Sequence, residues 1–253
     1  DEIRYEYSGS YLKWPESIHI NKTKIIIHHT ASDFTSLLSG GKEKVIQYLN
    51  DVYKFHTFTR WWGDIGYNFL IDPFWNIYEW RAGGEWVVWA HDSRNNTPSI
   101  WISLMGNFEI NEPTEKQMAA LIKLTTALAK KYKINPYAKA DYFKAYTEAP
   151  YLETVENYTI AWHKDAGKTA CPWKNVYSKL SDIRQKVKKA LQTYILTSSS
   201  SSTTNSSGTK TPTPSASKIS WVYYIKKSDW SISFDRDYDN VVSCTSEDGS
   251  FTI

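Results

Sequence analysis

Short apolar runs bounded by polar residues mark the strands of this chain. Residues 23–28 contain the β-branched run Ile25-Ile26-Ile27 between polar residues, which predicts a short buried strand. Residues 66–72 and 76–80 are predicted to form a hairpin that turns around Asp72-Pro73. Residues 99–106 are predicted to form a further strand. We expect these strands to belong to one mixed α/β domain.

The helices follow from a longer apolar period. Residues 42–56 carry apolar side chains at helical spacing. The clearest helix spans 114–132, where Thr114 and Gln117 form a capping-box pattern ahead of a long apolar stripe. Residues 134–157 are polar and aromatic-rich with no strong period. The last predicted elements are a strand at 158–162 and a helix at 176–195.

The composition changes after this helix. Residues 197–217 are almost entirely Ser, Thr, Pro and Gly with few apolar side chains, so they cannot offset their chain entropy by burial and are predicted to form a disordered linker. The segment that follows alternates like a strand. The predicted organisation is a domain at 1–196, a linker at 197–218, and a short β-like start of an unidentified second domain at 219–253.

Charge and cysteine content exclude several classes of protein. The chain has 30 basic and 27 acidic residues, which implies no nucleic-acid partner. It contains no apolar run of about 18 residues, so no membrane span is expected. Two cysteines are too few for a disulfide framework, and Cys244 is expected to be unpaired and inert. The chain begins at Asp1 without Met or a signal sequence, so we expect a mature form or a fragment of a longer protein. We also expect a monomer.

Candidate metal ligands occur in two separate blocks. His28 ends the first apolar run, and His163 and Cys171 lie eight residues apart far along the chain. Imidazole and thiolate are the ligands that Zn²⁺ prefers, and three protein ligands plus one water are typical of a catalytic zinc. A single histidine at the end of a strand is more often a core residue, but the distant His/Cys pair favours a ligand. His29 is the weaker candidate, because strand alternation places it on the other face.

Four ordered blocks carry a family resemblance. They are IIIHHTAS, DIGYNFLID, SIWISLMGNF and HKDAGKTACP. Together they resemble the zinc-dependent N-acetylmuramoyl-L-alanine amidases, a family shared by phage lysozyme-type amidases and peptidoglycan recognition proteins. The resemblance covers roughly residues 20–190. It implies a mixed central β-sheet flanked by helices, with zinc held by His28, His163 and Cys171 at the carboxyl edge of the sheet.

The resemblance also assigns roles to individual side chains. Tyr67 would hydrogen-bond the attacking water or the developing oxyanion, and Thr169 would support the tetrahedral intermediate. His91 would line the substrate groove and Asn96 would contact the stem peptide. Each has an ordinary alternative: a half-buried strand tyrosine, a threonine that caps a turn, a solvated loop histidine, and an asparagine in a turn.

The implied reaction is hydrolysis of the amide between N-acetylmuramic acid and L-alanine in peptidoglycan, outside the cell or in its envelope. A non-catalytic recognition module is the main alternative, and a zinc peptidase acting on another amide is a third. Recognition proteins that bind without cutting typically lack the cysteine ligand. Cys171 therefore favours an enzyme.

Tryptophan is unusually frequent, with 12 residues against 11 glycines. Several stand where the resembling family shows glycine, as in Asp-Pro-x-Gly-x-Ile and Cys-Pro-Gly. These positions are Trp75, Trp80, Trp89, Trp101, Trp162 and Trp173, and Trp61 and Trp86 are further candidates. Our hypothesis is that the source bacterium uses UGA as a glycine codon and that UGA was translated here as tryptophan. The alternative is a sugar-binding surface built of indoles.

Overall fold

A six-stranded sheet lies at the centre of the computed structural model, which describes residues 21–60, 64–81, 95, 96, 98–144, 153–167 and 169–200, and the backbone of 222–223. The strands are β1 (Lys24–His29), β2 (Phe69–Ile71), β3 (Ile77–Glu79), β4 (Ser99–Leu104), β5 (Lys139–Phe143), β6 (Thr154–Tyr158), β7 (Ile160–Trp162) and β8 (Val222–Tyr223). The helices are α1 (Phe34–Lys54), α2 (Glu115–Lys131), α3 (His163–Ala166), α4 (Lys174–Tyr177) and α5 (Leu180–Ser200).

The central sheet is mixed, with the order β7-β1-β4-β2-β3-β8. Strand β1 runs parallel to both β4 and β7, and β2 runs parallel to β4. Strands β2 and β3 form the predicted antiparallel hairpin. All six residues of β1 are buried, as expected for a parallel strand covered on both faces.

Helices cover the two faces of the sheet. On one face α2 and α5 pack against odd-numbered β1 side chains, and on the other α1 packs against Ile26 and its neighbours. The first cluster includes Ile25, Ile27, Phe69, Ile102, Leu124 and Ile183. The second includes Ile26, Leu49, Val52, Leu70 and Trp101. The predicted fold class, a mixed sheet flanked by helices, is therefore confirmed.

Helix α1 begins earlier than the predicted range 42–56. The carboxylate of Asp33 caps it by accepting the backbone N–H of Ser36 at 3.1 Å. Gly41 then interrupts the helical geometry with φ 58°. The prediction therefore captured only the second half, which ends in a π-helical turn at Phe55–Thr59.

Helix α2 begins and ends as predicted. Thr114 Oγ1 accepts the Gln117 backbone N–H at 3.0 Å. The buried Gln117 side chain does not complete a capping box, because its amide donates to the carbonyls of Ile71 and Met105 at 2.9 and 3.0 Å. It connects α2 to the ends of two strands instead.

The segment 134–157, which showed no strong period, contains most of a hairpin formed by β5 and β6. The buried Lys24 side chain donates to the carbonyl of Asp141 and lies 4.3 Å from the centre of the Tyr142 ring. The hairpin is thus held to β1 by residues that are distant in the sequence, and such contacts produce no hydrophobic periodicity within the segment itself.

Two further features concern the end of the chain. Helix α5 continues to Ser200, four residues beyond the predicted domain boundary, and β8 pairs in parallel with β3. Most of the predicted linker and C-terminal segment lies outside the described residues. No helix within the described ranges is long and apolar enough to cross a membrane.

Candidate metal centre

Three predicted ligands meet at the carboxyl edge of the sheet. His28, His163 and Cys171 each offer one ligand atom, and these atoms lie within 4.8 Å of one another. Cys171 Sγ is 3.9 Å from His28 Nδ1, and the two imidazole centres are 4.3 Å apart. Tetrahedral zinc with ordinary bond lengths places nitrogen and sulfur ligands about 3.6 Å apart. The donor set and its spacing therefore fit a zinc ion.

Strand register places the two histidines side by side. Ile27 of β1 pairs with Trp162 of β7, so His28 and His163 are the next residues along two parallel strands. His163 also begins α3, where the Asp165 carboxylate accepts the Trp162 backbone N–H at 3.0 Å. Both imidazoles are thus held by elements of the sheet.

The loop that follows α3 returns Cys171 to the histidines. The backbone N–H of Lys164 donates to the Cys171 carbonyl at 2.9 Å. Thr169 Oγ1 accepts the Cys171 N–H at 3.1 Å. A Cβ on Gly167 would lie 3.0 Å from His163 Nε2, so a larger residue here would have to shift the imidazole or the loop by a few tenths of an ångström.

Burial controls the protonation of these groups. It raises the pKa of the Cys171 thiol to about 12, although the His29 N–H, which donates to Sγ at 3.4 Å, lowers it. Burial lowers the pKa of His163 to about 4, so its imidazole is neutral at pH 7. A divalent cation would displace the thiol proton and stabilise the thiolate.

His29 lies on the opposite face, as strand alternation predicts. Its Nδ1 accepts the Phe108 backbone N–H at 3.4 Å, and its ring centre is 6.0 Å from that of Phe108. Its contacts with Cys171 are made by the backbone: the His29 N–H donates to Sγ at 3.4 Å, and the His29 carbonyl lies 3.9 Å from Sγ. The imidazole of His29 is therefore outside the ligand cluster.

Tyr67 lies between two histidine rings. Its ring centre is 5.7 Å from that of His28 and 5.6 Å from that of His56, and 8% of the residue is exposed. Burial raises the pKa of Tyr67 well above its usual range, with a further contribution from Cys171. Tyr67 is therefore a neutral phenol that can donate a hydrogen bond beside the ligands.

His56 was given no role from the sequence, yet it contacts Tyr67. It is buried in the π-helical turn, and its Nδ1 accepts the Gly66 N–H at 3.2 Å. Burial lowers its pKa to about 4, with smaller contributions from Arg60 and Arg81. The only sequence signal was its place at the end of the apolar stripe of α1.

The Trp101 indole covers the ligand cluster from one side. Its ring is stacked on His28, with centres 4.2 Å apart, and its centre is 5.6 Å from that of His163. It is fully buried, and its Nε1–H donates to Ser99 Oγ at 2.5 Å. An indole therefore occupies the space directly beside two candidate ligands.

The remaining predicted residues differ in their relation to the cluster: Thr169 contacts a ligand residue, Asn96 lies apart, and His91 is outside the described ranges. The Thr169 hydroxyl performs the turn-capping role that was its alternative interpretation, but it retains a proton to donate. Asn96 is buried before β4, at the edge of the sheet where β1 begins, and its carbonyl accepts from Ser99. His91 lies outside the described residues.

Comparison with known proteins identifies the family to which this chain is similar. Residues 20–174 match the family described as N-acetylmuramoyl-L-alanine amidase. The chain is 31% identical over 155 residues to peptidoglycan-recognition protein SC2 of Drosophila melanogaster, covering 61% of this chain and 70% of that protein. It is 28% identical over 114 residues to a human N-acetylmuramoyl-L-alanine amidase, covering 43% of this chain but only 18% of that protein.

Solved structures show the same fold. The N-acetylmuramoyl-L-alanine amidase LysC from Clostridium intestinale URNW superposes with a TM-score of 0.51 at 25% identity, covering 70% of this chain and 92% of that one. Drosophila PGRP-LB superposes with a TM-score of 0.52 at 24% identity, covering 70% and 90%. The similarity therefore extends to proteins named as amidases and to proteins named for peptidoglycan recognition.

Proposed function

Because the chain belongs to the N-acetylmuramoyl-L-alanine amidase family, we propose that it is a zinc-dependent peptidoglycan hydrolase. The bond cleaved is the amide between the lactyl group of N-acetylmuramic acid and L-alanine of the stem peptide. The observation that carries this proposal is the cluster of His28, His163 and Cys171 within 4.8 Å. An enzyme with this substrate would act outside the cell or in its envelope.

His28, His163 and Cys171 would hold the zinc ion. When bound, zinc supplies a Lewis acid that lowers the pKa of a water molecule towards 7 and polarises a carbonyl oxygen. The sheet holds the two imidazoles, and the thiol of Cys171 loses its proton on binding.

Tyr67 and Thr169 would act on the substrate carbonyl. Tyr67 remains a neutral phenol, so it can donate a hydrogen bond to the attacking water or to the oxyanion. Thr169 Oγ1 accepts from Cys171, which leaves its O–H to support the same oxyanion. The leaving amine takes its proton from water in the site.

His91 and Asn96 remain proposed contacts of the glycan and stem peptide. His91 lies outside the described residues, and Asn96 lies at the opposite edge of the sheet from the ligands. Replacement of either should raise KM more than it lowers kcat if the side chain binds the stem peptide.

The test combines metal analysis with digestion of purified peptidoglycan. We expect about one equivalent of zinc after purification without chelator. We also expect release of new L-alanine amino termini. Cys171→Ser should lose both zinc and cleavage, while Cys244→Ser, the matched control at the only other cysteine, should keep both.

Each alternative has its own outcome. The similarity to peptidoglycan-recognition protein SC2 favours a recognition module as the second candidate. Binding of peptidoglycan without zinc or new amino termini would support that candidate. New reducing ends without L-alanine amino termini would indicate a glycosidase and overturn the proposal. Cleavage of unrelated peptides alone would indicate a zinc peptidase.

A further inference from the structure

Two tryptophans occupy backbone conformations that favour glycine. Trp173 has φ 68° and ψ 171°, a region that is populated almost only by glycine. Trp75 has φ 94°. A positive φ for a bulky residue is a genuine outlier, because Cβ then crowds the backbone.

Neighbouring backbone hydrogen bonds impose the conformation at position 75. The Asp72 carboxylate accepts the backbone N–H groups of Phe74 and Asn76, both at 2.9 Å. The Asp72 N–H donates to the Asn76 carbonyl at 3.1 Å and closes the turn of the β2–β3 hairpin. None of these hydrogen bonds uses the side chain at position 75, so the turn would have the same geometry with glycine there.

Position 173 is fixed in the same way. The Trp173 N–H donates to the Ala170 carbonyl at 2.7 Å, and its own carbonyl accepts the Tyr177 N–H at 3.0 Å. The residue thus joins the loop that carries Cys171 to the start of α4. Its backbone, rather than its ring, makes this connection.

Tryptophan is over-represented among the residues with positive φ. In the described part of the chain, four non-glycine residues have positive φ, and they are Ala31, Trp75, Lys133 and Trp173. The same part contains five tryptophans, so two of five adopt a conformation that is uncommon for residues other than glycine. Nothing in an indole favours positive φ.

The described tryptophans do not form one binding surface. Trp162 and Trp75 belong to the core on the α2 and α5 face of the sheet. Trp101 and Trp80 belong to the core on the α1 face. A sugar-binding platform needs exposed rings on one face, so this distribution disfavours the aromatic-surface alternative.

We propose that positions 75 and 173 are glycine in the protein that the source cell makes, with UGA decoded as glycine at both. Among the five described tryptophans, the structure thereby separates two positions whose backbone favours glycine from three whose φ is not positive. Decoding at Trp101 would also remove the ring stacked on His28 and open space beside the candidate ligands. The inference about positions 75 and 173 does not depend on the proposed catalytic activity.

The first test is chemical. Peptides of the protein isolated from its native cell should have the mass of glycine at positions 75 and 173, and the gene should carry UGA at both. A peptide mass matching tryptophan at either position, or a UGG codon there, would overturn the proposal. This measurement does not depend on how any variant folds.

The second test measures the backbone preference of each position without an indole. It compares the stabilities of Gly and Ala variants of the full chain. At positions 75 and 173, Gly should be favoured over Ala by on the order of tenfold in the unfolding equilibrium constant. Trp80 is the matched control, because it is not among the residues with positive φ. There Ala should equal or exceed Gly. Ala variants as stable as Gly variants at 173 would contradict the proposal.

Discussion

The sulfur of Cys171 lies 3.9 Å from Nδ1 of His28, although 143 residues separate them. The parallel pairing of β1 with β7 and the return of the loop after α3 produce this proximity. Both side chains belong to the candidate metal centre, and the first predictions concern zinc binding and catalysis at this centre.

Zinc affinity should increase with pH. Burial raises the pKa of the Cys171 thiol to about 12, whereas His163 is already neutral at pH 7 because burial lowers its pKa to about 4. Binding therefore releases about one thiol proton, and the apparent affinity should rise about tenfold per pH unit between roughly pH 6 and 8. Titration with a competing chelator, together with calorimetry in buffers of different ionisation enthalpy, measures both quantities. An affinity independent of pH would contradict thiolate ligation.

Tyr67→Phe should keep the zinc and lower the rate of peptidoglycan cleavage by about 10² to 10⁴. The substitution removes only the hydroxyl from a ring that lies beside His28. Tyr142→Phe is the control, because its hydroxyl donates to the Tyr158 carbonyl at 2.7 Å on β6. That variant should lose about 1 kcal/mol of stability and retain normal turnover. Equal turnover in the two variants would remove Tyr67 from the mechanism.

Gly167→Ala should weaken zinc binding about 10- to 100-fold. The added Cβ would lie 3.0 Å from His163 Nε2 and would displace either the imidazole or the loop. Gly41→Ala is a useful control, since φ 58° strains the backbone there but no atom lies within 4 Å of the new Cβ. It should lower the stability by about 1 to 2 kcal/mol and leave the zinc affinity unchanged. Dissociation constants and urea unfolding of both variants provide the comparison.

Acid should destabilise the domain through His56. Its folded pKa of about 4 lies below the ordinary value of 6.5, so the unfolded chain binds more protons between these values. The contribution is fully present above about pH 6.5 and is lost as the pH falls towards 4, by on the order of 3 kcal/mol. His56→Gln does not titrate, so its unfolding free energy should vary less over this range. Identical pH profiles for the two proteins would rule out this role.

Limited proteolysis should cut the chain between residues 201 and 217 and leave a stable core. Helix α5 continues to Ser200, and the following residues are rich in Ser, Thr, Pro and Gly. Mass spectrometry of the fragments locates the first cut. A first cut within residues 66–106 would contradict the predicted domain organisation.

Local sequence patterns were sufficient for the elements whose cause is local. The apolar run of β1 and the cap of α2 at Thr114 were predictable, because one reflects burial on both faces and the other a hydrogen bond to Gln117. The ligand types were also predictable, since imidazole and thiol side chains have few common roles in such blocks. The order of the four blocks then indicated the family.

No local pattern determined which of these groups meet: the resemblance of the four blocks grouped the three ligands, and the tertiary structure alone gives the geometry that brings them together. The register of Ile27 with Trp162 places His28 beside His163, and no local period contains that information. The contact of His56 with Tyr67 and the close approach of Gly167 to His163 likewise depend on how separate segments fold together. Periodicity reports which face of an element is apolar, whereas the distance between two side chains depends on strand register and loop closure.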